Sequence, residues 1–304
     1  MKRILPICAL VLLTSPLFSQ VEMSKTKNTK SKEKALADID KQLYLDKFSL
    51  NLNLYGYGED QGGGMGSSST ATVGVRAHLS EVDEALAKEI VDEAYAYFKK
   101  QWSSRGVQVK VLNMEQLEAT QKYAKAKKKG KDVEVITGGA HENQEKKLHN
   151  IDAWPEGARI IKTGSGPLIM IGNEMNMVMD IFKTYPNEGF TGFTSTVNFI
   201  SFKTAKLGTT ARVKPIPQLQ SYSGMNVSKY KKGKGGTYVG SNEAKGIADF
   251  FSEVKQEGLD VLATSSNDWT YIADKAKYKA NVLEMIKKSM DHIFADFDAV
   301  LADI

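Results

Sequence analysis

The chain has 304 residues, 41% hydrophobic and 25% charged, with a formal net charge of +5. That is enough apolar material for one large domain or two small ones, and a charge too balanced to imply nucleic acid from composition. One cysteine, Cys8, excludes a disulfide scaffold.

Residues 1–19 read as a signal peptide. Lys2 and Arg3 form a basic start, Ile4 to Phe18 is apolar, and Ser19 is a small residue suited to cleavage before Gln20. The apolar run is shorter than the ~20 residues of a comfortable membrane span. Cys8 precedes most of that run and follows Pro6-Ile7, a poor setting for lipid attachment. Removing Lys2 and Arg3 leaves 39 basic against 36 acidic residues, a net +3. The expected protein is exported, periplasmic or secreted, and does not span a membrane after cleavage. Residues 20–46 are polar and basic and read as a solvated tether. Residues 47–304 read as an α/β domain, with a possible subdivision near 137–158.

Phe48, Leu50, Leu52 and Leu54 alternate with Ser49, Asn51 and Asn53, which predicts a strand over about 47–57. The glycine and serine run 62–69 reads as a hairpin loop to a second strand carrying Val73, Val75, Ala77 and Leu79. Ser80 to Asp83 fits a capping box with Ser80 as the cap. The helix that follows has an apolar stripe at Val82, Leu86, Ile90, Ala94, Phe98 and Trp102 and ends at Gly106. Val107, Val109 and Val111 predict a strand, and Asn113 with Gln116 predicts the start of a second helix. Two strands joined by a helix of this length are expected to pair in parallel through a right-handed crossover. Residues 122–131 read as a basic helix end and 137–156 as irregular chain. Gly164 to Pro167 reads as a tight turn, and 176–183 fits either a short helix or a buried strand. Residues 196–202 and 211–216 predict an antiparallel pair, with Pro215 and Pro217 confining its end to a sheet edge. Residues 222–240 read as a long surface loop and 241–257 as a helix. Residues 274–304 read as a long helix with a continuous apolar face from Tyr278 to Ile304. No internal repeat is visible. The fold class expected is α/β (or α+β): a mixed β-sheet with a parallel β-α-β core, an antiparallel part, and a long C-terminal helix packed on it.

Four signals for chemistry are weak. His141, Glu142, Glu145 and His149 evoke a metal site, but a zinc-protease helix needs histidine where Glu145 stands. The 62–70 glycines lack a P-loop lysine and precede a strand instead of opening a helix. No nucleophile elbow surrounds Ser165. Lys127, Lys128 and Lys129, with Lys229, Tyr230, Lys231, Lys232 and Lys234, form two basic clusters able to meet an anionic ligand. Tyr230 in the second cluster offers a ring for stacking. No catalytic set converges and no cofactor is implied.

Residues 80–119, with Gly106-Val107-Gln108-Val109-Lys110-Val111-Leu112-Asn113 at their centre, resemble the α/β domain of the curli-secretion lipoprotein family. They are similar in outline to the amino-terminal domain of the TolB translocation protein. The chain departs from the first family in lacking a lipid-modified cysteine and a membrane-crossing hairpin. The resemblance implies an accessory, non-catalytic envelope module, and the export signal resembles those of Bacteroidetes-type bacteria. The function expected is non-enzymatic binding of an envelope protein or surface polymer, with no nucleic acid. The alternatives are a metal-dependent hydrolase using His141 and His149, or a binder of acidic glycan or lipid through the lysine-rich loops.

Overall fold

The structure is a computed structural model and describes residues 21–31, 34, 36–37, 39, 41–62, 71–119, 133–145, 148–163, 184, 188–207, 210–229, 235–261 and 264–304. The strands are β1 (Glu22–Met23), β2 (Lys27–Ser31), β3 (Gln42–Asn53), β4 (Tyr55–Gly62), β5 (Ala71–Ser80), β6 (Gln108–Val111), β7 (Val133–Glu145), β8 (Leu148–Thr163), β9 (Gly189–Leu207), β10 (Thr210–Lys229), β11 (Gly236–Ile247), β12 (Phe251–Val261) and β13 (Thr264–Ala273). The helices are α1 (Glu84–Ser104), α2 (Met114–Glu118) and α3 (Lys275–Ala302). A nine-stranded sheet runs β1-β11-β10-β9-β3-β8-β7, with β2 also on β11 and β6 also on β3. A four-stranded sheet runs β12-β13-β5-β4.

β3 is the strand on which the larger sheet turns. Leu43 and Leu45 are buried, then Phe48, Leu50 and Leu52, so the inward set changes from odd to even numbers. One extra residue must absorb that change, and the ladder with β9 skips Asp46 between Leu45 and Lys47. This is a β-bulge. The chain then breaks at Leu54 and crosses into the smaller sheet as β4, so the strand expected over 47–57 is divided between two sheets.

α1 starts at Asp83, whose carboxylate accepts from the Leu86 amide at 2.8 Å. Ser80, the expected cap, is still in β5. Glu81, at φ 67°, turns the chain before the helix begins. Gly106 closes the helix at φ 74°, where an L side chain would be strained. α2 has the expected reciprocal cap: Asn113 N donates to Gln116 Oε1 at 2.9 Å, and Gln116 N donates to Asn113 Oδ1 at 2.8 Å.

α3 is capped by Asp274 and lies beside α1 in the same direction. The order of contacts fixes that direction: Asp83 with Lys275, Glu89 and Glu93 with Lys279, Tyr97 with Asp291, and Arg105 with Asp298. These pairs are largely solvent-exposed, and exposed pairs contribute ~0–1 kcal/mol each. The stabilising contact is apolar. Trp102 meets Phe294 and Phe297 edge-on at 5.1 and 5.7 Å, and Phe98 meets Phe294 at 5.9 Å. Both helices cover one face of the larger sheet, through Phe48 against Tyr95 and Phe98, and through Tyr238 against Phe297. On the smaller sheet, Gly56 and Gly58 have no side chain where Ile200 and Phe202 of β9 lie against them.

The expectation of a mixed fold with a docked C-terminal helix holds. The expected pairing of the Val73 and Val107 strands does not: β5 is in the smaller sheet and β6 in the larger, along β3. α1 carries the chain from one sheet to the other, so no crossover within one sheet is made. The parallel pairs are instead β3–β6, β3–β9 and β5–β13. The β9–β10 pair matches expectation. β5 does have an antiparallel partner just before it, but that partner is β4, Tyr55–Gly62, and most of the strand expected over 47–57 lies in the other sheet. Opposite Pro215 and Pro217, β9 pairs on one side, and the β11 ladder begins at Leu219.

Other expectations are corrected. Residues 137–145 and 148–156 belong to the paired strands β7 and β8, 222–229 and 236–240 to β10 and β11, and 241–247 and 251–257 to β11 and β12. In the stretch read as a tether, β1 and β2 pair along β11. Residues 122–131, 164–167 and 176–183 lie outside the described residues. A recurrence also emerges: β3-β4-β5-α1 and β11-β12-β13-α3 each run from the larger sheet through a hairpin of the smaller one to a helix. β5 and β13 are parallel neighbours, as are α1 and α3.

Candidate functional site

Alternation sends the polar members of β3 and its neighbours to the face opposite α1 and α3. The register aligns Asp152, Asn51, Thr196, Tyr222 and Glu243 across five strands. Asn51 and Asn143 donate their side-chain amides to the two Asp152 oxygens at 2.7 and 2.9 Å. One step along, Asn53 donates to Asn198 at 2.5 Å. Burial raises the Asp152 pKa above the usual carboxylate range, against the pull of Asn51 and Asn143. Toward β10 and β11 the face opens to solvent. Tyr222 is 46% and Val239 44% exposed, with Thr194 and Ser241 exposed beside them. The Tyr222 hydroxyl accepts from Gln220, which also donates to Glu243, so the ring is held in place.

The bulge in β3 puts Asp46 on this same face, over Gly192. Asn226 donates to Asp46 Oδ2 at 2.7 Å. Asp46 Oδ1 is sealed and unpartnered, although the residue as a whole is half-buried. Loss of hydration raises the Asp46 pKa from 3.8 to about 6, with the Asn226 bond pulling the other way. Any side chain at 192 would collide with that carboxylate.

The expected metal ligands are not brought together. His141 lies opposite Asp152, and His149 lies opposite Gln144. Strand alternation therefore puts the two histidines on opposite faces of the hairpin. Glu145 ends β7 opposite Leu148. What the hairpin does assemble is a pair: His149 Nε2 lies 2.6 Å from Glu142 Oε1, which also accepts from Gln144 at 2.8 Å. The Gln144 and His149 bonds hold the Glu142 pKa below its ordinary value. Among the described residues no group of three or more His, Cys, Asp or Glu side chains could hold a metal ion.

Lys229, expected on a mobile loop, is 7% exposed and lies between Gly189 and Gly236 in the sheet. It is thus not presented as a surface cation. Lys127, Lys128, Lys129, Tyr230, Lys231, Lys232 and Lys234 lie outside the described residues. Sequence reasoning missed Asp46, Asn226 and the Asn51–Asp152 row. The parity slip from Leu45 to Phe48 was the available signal for Asp46.

No family model, curated protein or solved structure matches the chain. Among the described residues no helix is long and apolar enough to cross a membrane.

Proposed function

We propose that this is an exported, non-enzymatic binding protein of the bacterial envelope that contacts another envelope component through the helix-free face of the larger sheet. The observation that carries the reading is the solvent-facing part of that face, where a fixed Tyr222 and Val239 stand among hydrogen-bonding side chains, Thr194, Gln220, Ser241 and the acidic Glu243. A tyrosine ring is a large contact surface that loses little freedom on binding. The signal-like 1–19 segment and the resemblance of 80–119 to exported accessory modules support the location and the accessory role. The metal-hydrolase alternative loses support because His141 and His149 face opposite ways. The lysine-cluster alternative loses support because Lys229 is buried.

The test is site-specific photo-crosslinking in intact cells of the source organism. A crosslinking residue at Tyr222 or Val239 is expected to give discrete adducts that one at His292, exposed on α3, does not. Adducts absent from the face positions, or equal at all three, overturn the reading.

A further inference from the structure

The smaller sheet has an outer face of its own. Its inner face buries Val75, Ala77, Leu79 and Tyr271. Alternation therefore puts Tyr55, Tyr57 and Glu59 of β4, Arg76 and His78 of β5, and Asp268 of β13 outside, in direct cross-strand register. Tyr57 is 44% exposed. Its ring rests on Gly74, whose missing side chain leaves the room: a Cβ there would stand 3.2 Å from the Tyr57 hydroxyl. That hydroxyl donates to Glu59 at 2.7 Å, so the ring is fixed at both its edge and its tip. Tyr55, two residues earlier on the same face, lies against the His78 ring with centroids 5.1 Å apart. Arg76 and Asp268, beside Tyr57, are each about half-exposed at 51% and 43%. Their 3.7 Å separation is too long for a hydrogen bond. Asp268 Oδ1, the oxygen toward Arg76, is sealed from solvent, so the Asp268 acceptor for a ligand is Oδ2, beside the Arg76 donors.

We infer that the outer face of the smaller sheet is a binding platform for a neutral polysaccharide, with Tyr57 as the stacking ring and Arg76 and Asp268 as the hydroxyl-binding pair. The C–H edges of a sugar ring carry partial positive charge and pack against the negative face of an aromatic ring. A fixed ring loses no freedom when it does so. Vicinal hydroxyls both donate and accept, which a guanidinium beside a carboxylate matches. The charges of Arg76, Asp268 and Glu59 leave no positive excess, so the strip does not select anions. Burial also holds His78 below the ordinary histidine pKa, which keeps it neutral near pH 7. This platform is separate from the helix-free face of the larger sheet, and either can fail alone.

The experiment is native affinity electrophoresis of the mature chain through gels containing a soluble neutral glucan or a soluble neutral mannan. Calorimetric titration with a hexasaccharide of whichever polymer retards the protein follows. Retardation by at least one polymer, unchanged in 0.5 M salt, is expected. Tyr57→Ala should weaken binding by about tenfold, the scale of one aromatic contact, and Arg76→Ala and Asp268→Asn should weaken it further. Tyr222→Ala should leave it unchanged. Tyr57 is exposed, so its truncation should not unfold the protein, and an unaltered melting temperature verifies that. The inference is overturned if neither polymer retards the protein. It is equally overturned if Tyr57→Ala binds as the parent does, or if salt abolishes binding.

Discussion

Asp46 shows how one residue's position in the chain determines its chemistry. As the extra residue of the bulge it cannot take an ordinary place in the β3 ladder, and it comes to rest over Gly192 with one oxygen sealed and unpartnered. Its pKa is about 6 in the fold against 3.8 for the free side chain. The unfolded chain therefore releases this proton at a lower pH than the folded one. Stability from this group is present below about pH 4, falls as pH rises from about 4 to 6, and stays lost above. The fall should be about 2 kcal/mol, below the full linkage value because the residue is partly exposed. Asp46→Asn should flatten that segment of the pH profile and be the more stable form at pH 7. Urea titrations from pH 4 to 7 check this, and an unchanged slope in the variant would sink the idea. Gly192→Ala tests the same contact sterically, because its new methyl meets Asp46 Oδ1 and the Lys47 carbonyl oxygen. Overpacking of this kind costs about 1–3 kcal/mol, read as a lower urea midpoint.

At the scale of elements, the helices were the legible part of the sequence. α1 and α3 carry complete apolar stripes, and both begin at an aspartate whose carboxylate accepts a backbone amide three residues on. Losing such a cap costs about 1 kcal/mol. Asp83→Ala should therefore lower stability by about that much, and Ser80→Ala should have little effect, since Ser80 does not cap. Phe297 is fully buried against Trp102 and Tyr238. Phe297→Ala should cost about 3–5 kcal/mol and lower the melting temperature sharply. A variant that melts like the parent would show that α3 is not docked as described. β11 and the part of β10 beyond Pro217 were not legible, for an identifiable reason. Under α3 their inward positions are Ser221, Ser223 and Asn242 in place of large apolar residues. Ser223 is hydrogen-bonded to Ser195 at 3.0 Å, and Asn242 donates to the Ser289 carbonyl at 3.0 Å. Without apolar alternation, 222–240 reads as a loop from sequence.

At the scale of the whole molecule, the two sheets are joined by a unit that occurs twice, and the N-terminal strands complete one edge. β1 and β2 take up the outer backbone groups of β11 through the pairs Glu22–Lys245 to Ser31–Thr237. All five residues of β2 are exposed, so the backbone ladder, more than side-chain burial, holds that strand in place. A chain lacking residues 21–31 would present the bare β11 edge, a template for pairing with another copy. Concentration-dependent self-association, absent from the longer chain, is expected in light scattering. A truncated chain that stays monomeric would remove the edge-protecting role.

The sequence by itself determined what depends on local periodicity and capping: α1, α3, the start of α2, the strand character of 48–53 and 73–79, and the antiparallel pair 196–202 and 211–216, because the spacing of apolar side chains along one element needs no partner to be read. Only the tertiary structure decided which sheet each strand joined. β5 and β6 carry similar valine-rich patterns, yet α1 leads them to different sheets, and nothing in an alternating strand encodes its neighbour. The same holds for the candidate faces. Asn51, Asp152, Thr196 and Tyr222 lie far apart in the chain, as do Tyr57, Arg76 and Asp268, and it is pairing between strands that brings each set together.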